Sequence, residues 1–311
     1  MNLDSNAQVE RRKLGKTNLE VSILGLGLAQ ISRTAAAEGH ARDSTTIINS
    51  ALDLGINFLD TAACYGDTEQ LIGQAVSHRR NEYILATKAG HVVDDNDNLP
   101  WTRKTIEESI NRSLRLLRTE HVDVLQLHSC SVETLQSGEA IEAVQRIQET
   151  GKARFIGYSG DNEAARWAAH SGVFQTLQTS YNIVDQHFTT NNIIDVAHTA
   201  QMGVIIKRPV ANSAWWSSQE PYPYAGEYFR RAQIMKSSGP FLHPLKDKVL
   251  EATGFVLYQP EVSTIITGTH NLAHLQANVA MINNQLPIPK KTVLEIEERF
   301  QEVEDNWRQL M

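Results

Sequence analysis

Short apolar runs alternate with amphipathic stretches along most of the chain. Eight runs have the length and composition of buried strands: Leu24–Gly27, Asn57–Asp60, Ile84–Lys88, Val122–His128, Arg154–Tyr158, Thr176–Ser180, Gly203–Lys207 and Ser263–Thr267. Strands covered on both faces read as apolar throughout. Between them, apolar positions recur three or four apart, the spacing of one helix face. Ile47, Ile48, Ala51 and Leu52 make one such face, and Gly55 supplies a stop. Ile106, Ile110, Leu114 and Leu117 make another, and Ile141, Val144 and Ile147 a third, closed by Gly151.

Strand–helix units repeated eight times predict an α/β fold, a (β/α)8 TIM barrel forming one domain over residues 1–311. Ahead of it, RRKLGKTNLEVSIL predicts an N-terminal β-hairpin turning at Lys16-Thr17-Asn18 and plugging the N-terminal mouth. TVLEIEERFQEVEDNW, beyond Pro289, predicts a C-terminal helix. Residues 208–245 break the rhythm, with no clear strand but with Trp215, Trp216, Tyr222, Tyr224 and Tyr228. A long irregular loop in a compact domain is usually functional, and its aromatics favour binding.

Three successive runs close on a residue that can ionise. Asp60, Lys88 and His128 close the second, third and fourth strands, and Tyr65 follows Asp60 in the turn TAACYG. In a closed barrel these ends share one mouth, where active sites sit. Tyrosine ionises near pH 10 and is a poor acid at neutrality. An ammonium such as Lys88 lowers that pKa by favouring phenolate, and Asp60 would keep the lysine charged. His128 could bond a substrate oxygen or relay the proton. The set suits protonating a carbonyl oxygen while something else delivers hydride.

Composition narrows the field. A formal net charge of −7 argues against nucleic acid as partner. The N-terminal MNLDSNAQVERRK lacks the apolar core of a secretory signal, and no run approaches the roughly 18 apolar residues of a membrane span. Two cysteines, Cys64 and Cys130, make no disulfide framework, so a cytoplasmic setting is expected. They read as small buried thiols, with an active-site redox thiol as the alternative.

LGKTNLEVSILGLG, GINFLDTAACYGDTEQLIG, ILATKAG and VDVLQLHSC together resemble the aldo-keto reductase superfamily. The resemblance covers nearly the whole chain. It implies a barrel that binds NADPH without a Rossmann domain and reduces aldehydes or ketones. Residue by residue, Tyr65 matches the family's general acid, Lys88 and Asp60 its pKa-lowering pair, and His128 its substrate-orienting histidine. Ser159 and Gln178 match the nicotinamide carboxamide site, with Gly160 where the family often has Asn. Where the family places a stacking aromatic, this chain reads Lys207-Arg208-Pro209-Val210, which suggests a cation on the pyrophosphate. Gly27 and Asp60 complete that side of the cofactor site.

After the eighth strand, Gly268 and Thr269 precede a helix whose free N–H groups could receive a phosphate. Family members preferring NADPH usually carry Arg or Lys there; this chain has His270 and His274. Asn278 matches an adenine-contacting asparagine. NADP(H) is the expected cofactor and NAD(H) the alternative. Candidate substrate contacts are His91, Trp101, Ser129 and Trp215.

Other signals are weak. Gly25-Leu26-Gly27-Leu28-Ala29-Gln30 lacks the third glycine of a dinucleotide fingerprint. Asp94, Asn96 and Asn98 mimic a calcium loop without its glycine or terminal glutamate. No metal site and no GxSxG nucleophile motif is read. The sequence therefore predicts a carbonyl reductase acting on a small molecule. The alternatives are the reverse alcohol or sugar dehydrogenase, and a cofactor-sensing regulatory subunit of a membrane channel.

Overall fold

In the computed structural model, residues 9–29, 41–93 and 98–310 are described. Asp94 and Asn96 of the calcium-like loop, and Gln30, lie outside them. Two short strands, β1 (Arg11–Lys13) and β2 (Glu20–Ser22), pair antiparallel. Eight parallel strands then close a barrel: β3 (Leu24–Gly27), β4 (Phe58–Asp60), β5 (Ile84–Ala89), β6 (Val122–His128), β7 (Ala153–Ser159), β8 (Thr176–Ser180), β9 (Gly203–Lys207) and β10 (Val262–Thr267). They are ordered β10-β3-β4-β5-β6-β7-β8-β9, with β9 returning to β10. All eight expected strands are present, with ends shifted by a residue at most.

Helices pack outside the strands, and their apolar stripes face the barrel wall. The predicted helix faces lie in Ala41–Asp53, Arg103–Leu117 and Glu139–Glu149. Ile47, Ile48, Ile106, Ile110, Val144 and Ile147 are all buried in the main core. Thr102 caps the second of these helices by accepting from Thr105 N–H.

The hairpin plugs the N-terminal mouth. Leu14, Leu19 and Val21 form a separate apolar cluster with Phe58, Ile84, Val124 and Ile205 from inside the barrel. The Lys16 N–H donates to the Gln201 carbonyl at 2.8 Å. This close approach depends on Gly15 and Gly203. Gly15 has φ +52°, and a Cβ there would lie 2.2 Å from the Gly203 nitrogen.

Residues 208–245 differ from expectation. Gly226–Ser237 forms a twelve-residue helix within the stretch that reads as an irregular loop. Its Tyr228, Ala232 and Met235 face the core. The C-terminal helix runs from Lys290 to Val303, and the tail after it turns back over the strand ends. Gln309, only 3% exposed, bonds Asn162 N–H and the Ser180 carbonyl, both at 2.7 Å. Among the described residues, no helix is long and apolar enough to cross a membrane.

The hairpin contact gives a stability prediction. Gly15→Ala combines an unfavourable φ with a clash against backbone that cannot move aside. It should lower unfolding free energy by about 3 kcal/mol in a urea titration. A value within about 0.5 kcal/mol of wild type would remove the proposed role of this contact.

Candidate active site

A cavity of about 780 Å³ opens at the C-terminal ends of the strands. Gly27, Asp60, His128, Ser159 and Gln178 reach it from β3, β4, β6, β7 and β8, and Lys207 from β9. Strand register sets their level: His128 pairs with Ser159, and Ser159 with Gln178. Cys64, Tyr65, Ser129, Arg208, Pro209, Val210 and Gly268 join from the loops.

Lys88 and Asp60 form the centre. The ammonium lies 2.7 Å from Asp60 Oδ2, and the two side chains are 2% and 4% exposed. Nζ also donates to the Thr61 carbonyl at 2.8 Å. Gln178 Nε2 donates to Asp60 Oδ1 at 2.8 Å, and Ser159 donates to Gln178 Oε1 at 2.7 Å. The carboxylate is thus bonded on both oxygens, which a buried charge requires. Burial acts to lower the Lys88 pKa, but the charges of Asp60 and Tyr65 outweigh it, and the net shift is upward.

Tyr65 sits with its ring centroid 5.0 Å from Lys88 Nζ. The expected lowering of its pKa by Lys88 is present but is not the largest effect. Burial comes first and raises it, Lys88 pulls it back, and the result lies above the ordinary tyrosine value. The phenol is therefore protonated at neutrality, and Lys88 makes the phenolate less costly than burial alone would allow.

His128 is held as a neutral ring. Burial, then Lys88, His91, Lys207 and Arg208 depress its pKa to about 2. Its Nδ1 lies 3.4 Å from Cys64 Sγ; this thiol is exposed at the cavity rather than buried as the sequence suggests, whereas Cys130 is buried. The Tyr65 and His91 rings meet it edge-on at 5.8 and 4.7 Å. Trp101 donates from its indole to the His128 carbonyl at 3.1 Å, and its ring lies 5.3 Å from His91. Gly90 admits this indole, since a Cβ there would come within 2.4 Å of it.

The cationic rim is more committed than the sequence suggests. Lys207 donates to the buried Asp161 at 2.6 Å. Asp161 also accepts from Ser180 N–H at 2.7 Å and Thr179 at 3.0 Å. Burial opposes the Asp161 charge, yet Lys207 and Arg208 keep its pKa below the usual value. Arg208 bonds Ser180 Oγ, the Leu310 carbonyl and the Tyr224 hydroxyl. It has φ +58°, and Asn182 holds its carbonyl at 3.2 Å. Both cations line the cavity while anchored from behind.

Other candidates lie apart. Trp215 is buried, donating to Glu251 at 2.7 Å, and does not line the cavity. Tyr222 and Tyr224 from the same stretch do, with parallel rings 6.5 Å apart. His91 and Trp101 stand behind His128. Thr269, His270, His274 and Asn278 lie beyond the cavity, with both histidines exposed.

The helix Leu272–Gln285 does not offer all its free N–H groups. Asn271 caps Ala273 N–H at 2.9 Å and His274 N–H at 3.4 Å. Gly160 has a local cause: Tyr158 lies over it, its hydroxyl 2.4 Å from where a Cβ would be. Sequence reasoning missed Asp161, the tail at Gln309 and Leu310, and Asn212 and Ser213 at the cavity wall. The Asp-Asn pair at 161–162, next to a matched strand end, was the available signal.

The profile of the Aldo/keto reductase family matches residues 23–298. This chain belongs to that family. Aldo-keto reductases are oxidoreductases that use nicotinamide cofactors. The chain is 27% identical to the uncharacterized oxidoreductase YqkF of Bacillus subtilis, over 88% of this chain and 92% of that one. It is 26% identical to an L-galactose dehydrogenase of Arabidopsis thaliana, over 93% and 94% of the two chains. The structure of aldo-keto reductase AKR11C1 from Bacillus halodurans, in its holo form, superposes with a TM-score of 0.77 at 26% identity, covering 94% of this chain and 96% of that one.

The donor set suits a nicotinamide dinucleotide. Ser159 and Gln178 offer hydroxyl and amide groups at the cavity floor, and Lys207 and Arg208 offer positive charge at the rim. The depressed His128 pKa leads to a titration test. In the resting protein, the His128 ring proton signals should not titrate between about pH 5 and 8. A midpoint near the ordinary 6.5 would contradict the burial described.

Proposed function

We propose that this aldo-keto reductase reduces an aldehyde or ketone to an alcohol with NADP(H), with Tyr65 as general acid. The observation that carries this reading is the buried Lys88–Asp60 pair beside a protonated Tyr65 in the barrel-mouth cavity. A single barrel domain in the cytoplasm, acting on a small molecule, is the setting proposed.

The dinucleotide, when bound, supplies the hydride. Ser159 and Gln178 would hold its carboxamide end. Gly27, Lys207, Arg208, Pro209 and Val210 would flank the diphosphate. Gly268, Thr269, His270, His274 and Asn278 would take the adenosine side, and the exposed His270 and His274 support a 2′-phosphate there. NAD(H) is the alternative.

Tyr65 gives its proton to the substrate oxygen as negative charge develops there. Lys88 stabilises the phenolate left behind, and Asp60 fixes the ammonium in place. Neutral His128 donates a hydrogen bond to the same oxygen. His91 and Trp101 brace that ring, and Ser129 lines the substrate side. In the reverse direction Tyr65 phenolate would accept the proton from an alcohol or sugar hydroxyl. The likeness to a sugar dehydrogenase supports that as the second reading. The fully bonded Lys88–Asp60 pair supports catalysis over a purely regulatory role.

The test is a panel of aldehydes, ketones and sugars assayed with both cofactors, for wild type and Tyr65→Phe. We expect turnover with NADPH, and a loss of at least about 100-fold in kcat for Tyr65→Phe. Cofactor Kd should stay within about twofold, because the phenol serves the reacting oxygen. Near-normal turnover by Tyr65→Phe would refute the role of Tyr65. A lower Kd for NADH would refute the cofactor assignment.

A further inference from the structure

We propose that the Cys64 thiol donates its hydrogen bond to His128 Nδ1 and so fixes His128 as the tautomer protonated on Nε2. Cys64 is then a positioning residue, setting which ring nitrogen can donate into the cavity. The catalytic part of this proposal rests on the function given above; the tautomer itself does not.

A neutral imidazole has one N–H and one lone pair, so the partner of one nitrogen decides the role of the other. His128 is neutral because burial and the surrounding cations oppose its charge. Many functional histidines place Nδ1 against a carboxylate or backbone carbonyl, which requires the proton on Nδ1. Among the described residues, the hydrogen-bonding partner of the His128 ring is instead Cys64 Sγ, at 3.4 Å.

The direction of that bond follows from its two atoms. Sulfur is both a weak donor and a weak acceptor, whereas the unprotonated imidazole nitrogen is a good acceptor, which favours S–H···N over N–H···S. A thiolate would reverse the bond, but although Cys64 is exposed to the cavity, partial desolvation raises its pKa, Lys88 offsets this only in part, and the thiol keeps its proton. The S–H therefore donates and Nδ1 accepts.

The ring is not free to turn and exchange its nitrogens. His91 and Tyr65 flank it edge-on, with interplanar angles of 83° and 81°. The Trp101 indole grips the His128 carbonyl at the strand end. Both Cys64 and His128 line the cavity, so the nitrogen left with the proton is the ring's donor to whatever enters. The turn after β4 thus carries two functions in adjacent positions: Tyr65 supplies a proton, and Cys64 orients the second donor.

Nitrogen-15 spectra of the histidine rings test this in the resting protein, with His128→Gln used to assign the signals. Wild type should show His128 protonated on Nε2. Cys64→Ala should give a mixture of tautomers. Cys64→Ser, whose hydroxyl can donate to the same nitrogen, should restore the single tautomer. In the reductase assay, kcat should fall about five- to tenfold in Cys64→Ala and recover in Cys64→Ser, the effect of one lost hydrogen bond. Cofactor Kd should not move.

Wild-type protonation on Nδ1, or an unchanged tautomer in Cys64→Ala, would overturn the proposal. A mixed tautomer with unchanged kcat would overturn its catalytic half. Absence of any carbonyl reduction by wild type would refute the proposed function and leave the spectral result to judge the tautomer.

Discussion

The site depends on one ion pair in the wrong medium. Lys88 and Asp60 are almost wholly removed from water. Desolvating two such charges is costly, and the pair is tolerable only when its remaining lone pairs and protons are bonded. Thr61, Gln178 and, through Gln178, Ser159 provide those bonds. Removing one partner of such a pair typically costs about 3–5 kcal/mol, because the other charge is left stranded. The barrel makes the arrangement possible. Its strands are fixed in register by main-chain bonds, so three of them can present Asp60, Lys88 and Gln178 to one another without further adjustment.

That constraint explains the rest of the mouth. A stationary positive charge beneath Tyr65 offsets part of the burial cost of its phenolate. Burial first, and then the same charge with His91, Lys207 and Arg208 nearby, keep His128 neutral. Tyr65 is thereby left as a protonated phenol and His128 as an uncharged ring beside it. The outer rim repeats the principle with Asp161, which anchors Lys207 from behind so that positive charge is available without being free.

Much of this was legible in the sequence because the barrel converts sequence order into geometry. Asp60, Lys88 and His128 could be grouped from their positions at the ends of apolar runs, since parallel strands send all such ends one way. Most strands were legible for the same reason: burial on both faces leaves mainly apolar runs. The helix Gly226–Ser237 was not. It opens on Gly226 after Pro223 and mixes aromatic and charged residues, so its stripe is weak, and tertiary packing of Tyr228 and Met235 decides it. Trp215 reads as a binding aromatic, but its indole finds the buried Glu251 instead. The grip of Asp161 on Lys207 and the return of Gln309 join residues far apart in the chain. No local pattern encodes them.

Single-turnover reduction tests the central claim that the buried lysine prepares Tyr65 to give up its proton. Wild type and Lys88→Met would each be saturated with NADPH and mixed rapidly with an aldehyde that wild type turns over, following loss of the reduced nicotinamide. The account predicts hydride transfer slower by at least about 100-fold in Lys88→Met, with a folded protein and NADPH Kd little changed. Hydride transfer at the wild-type rate in the variant would contradict it.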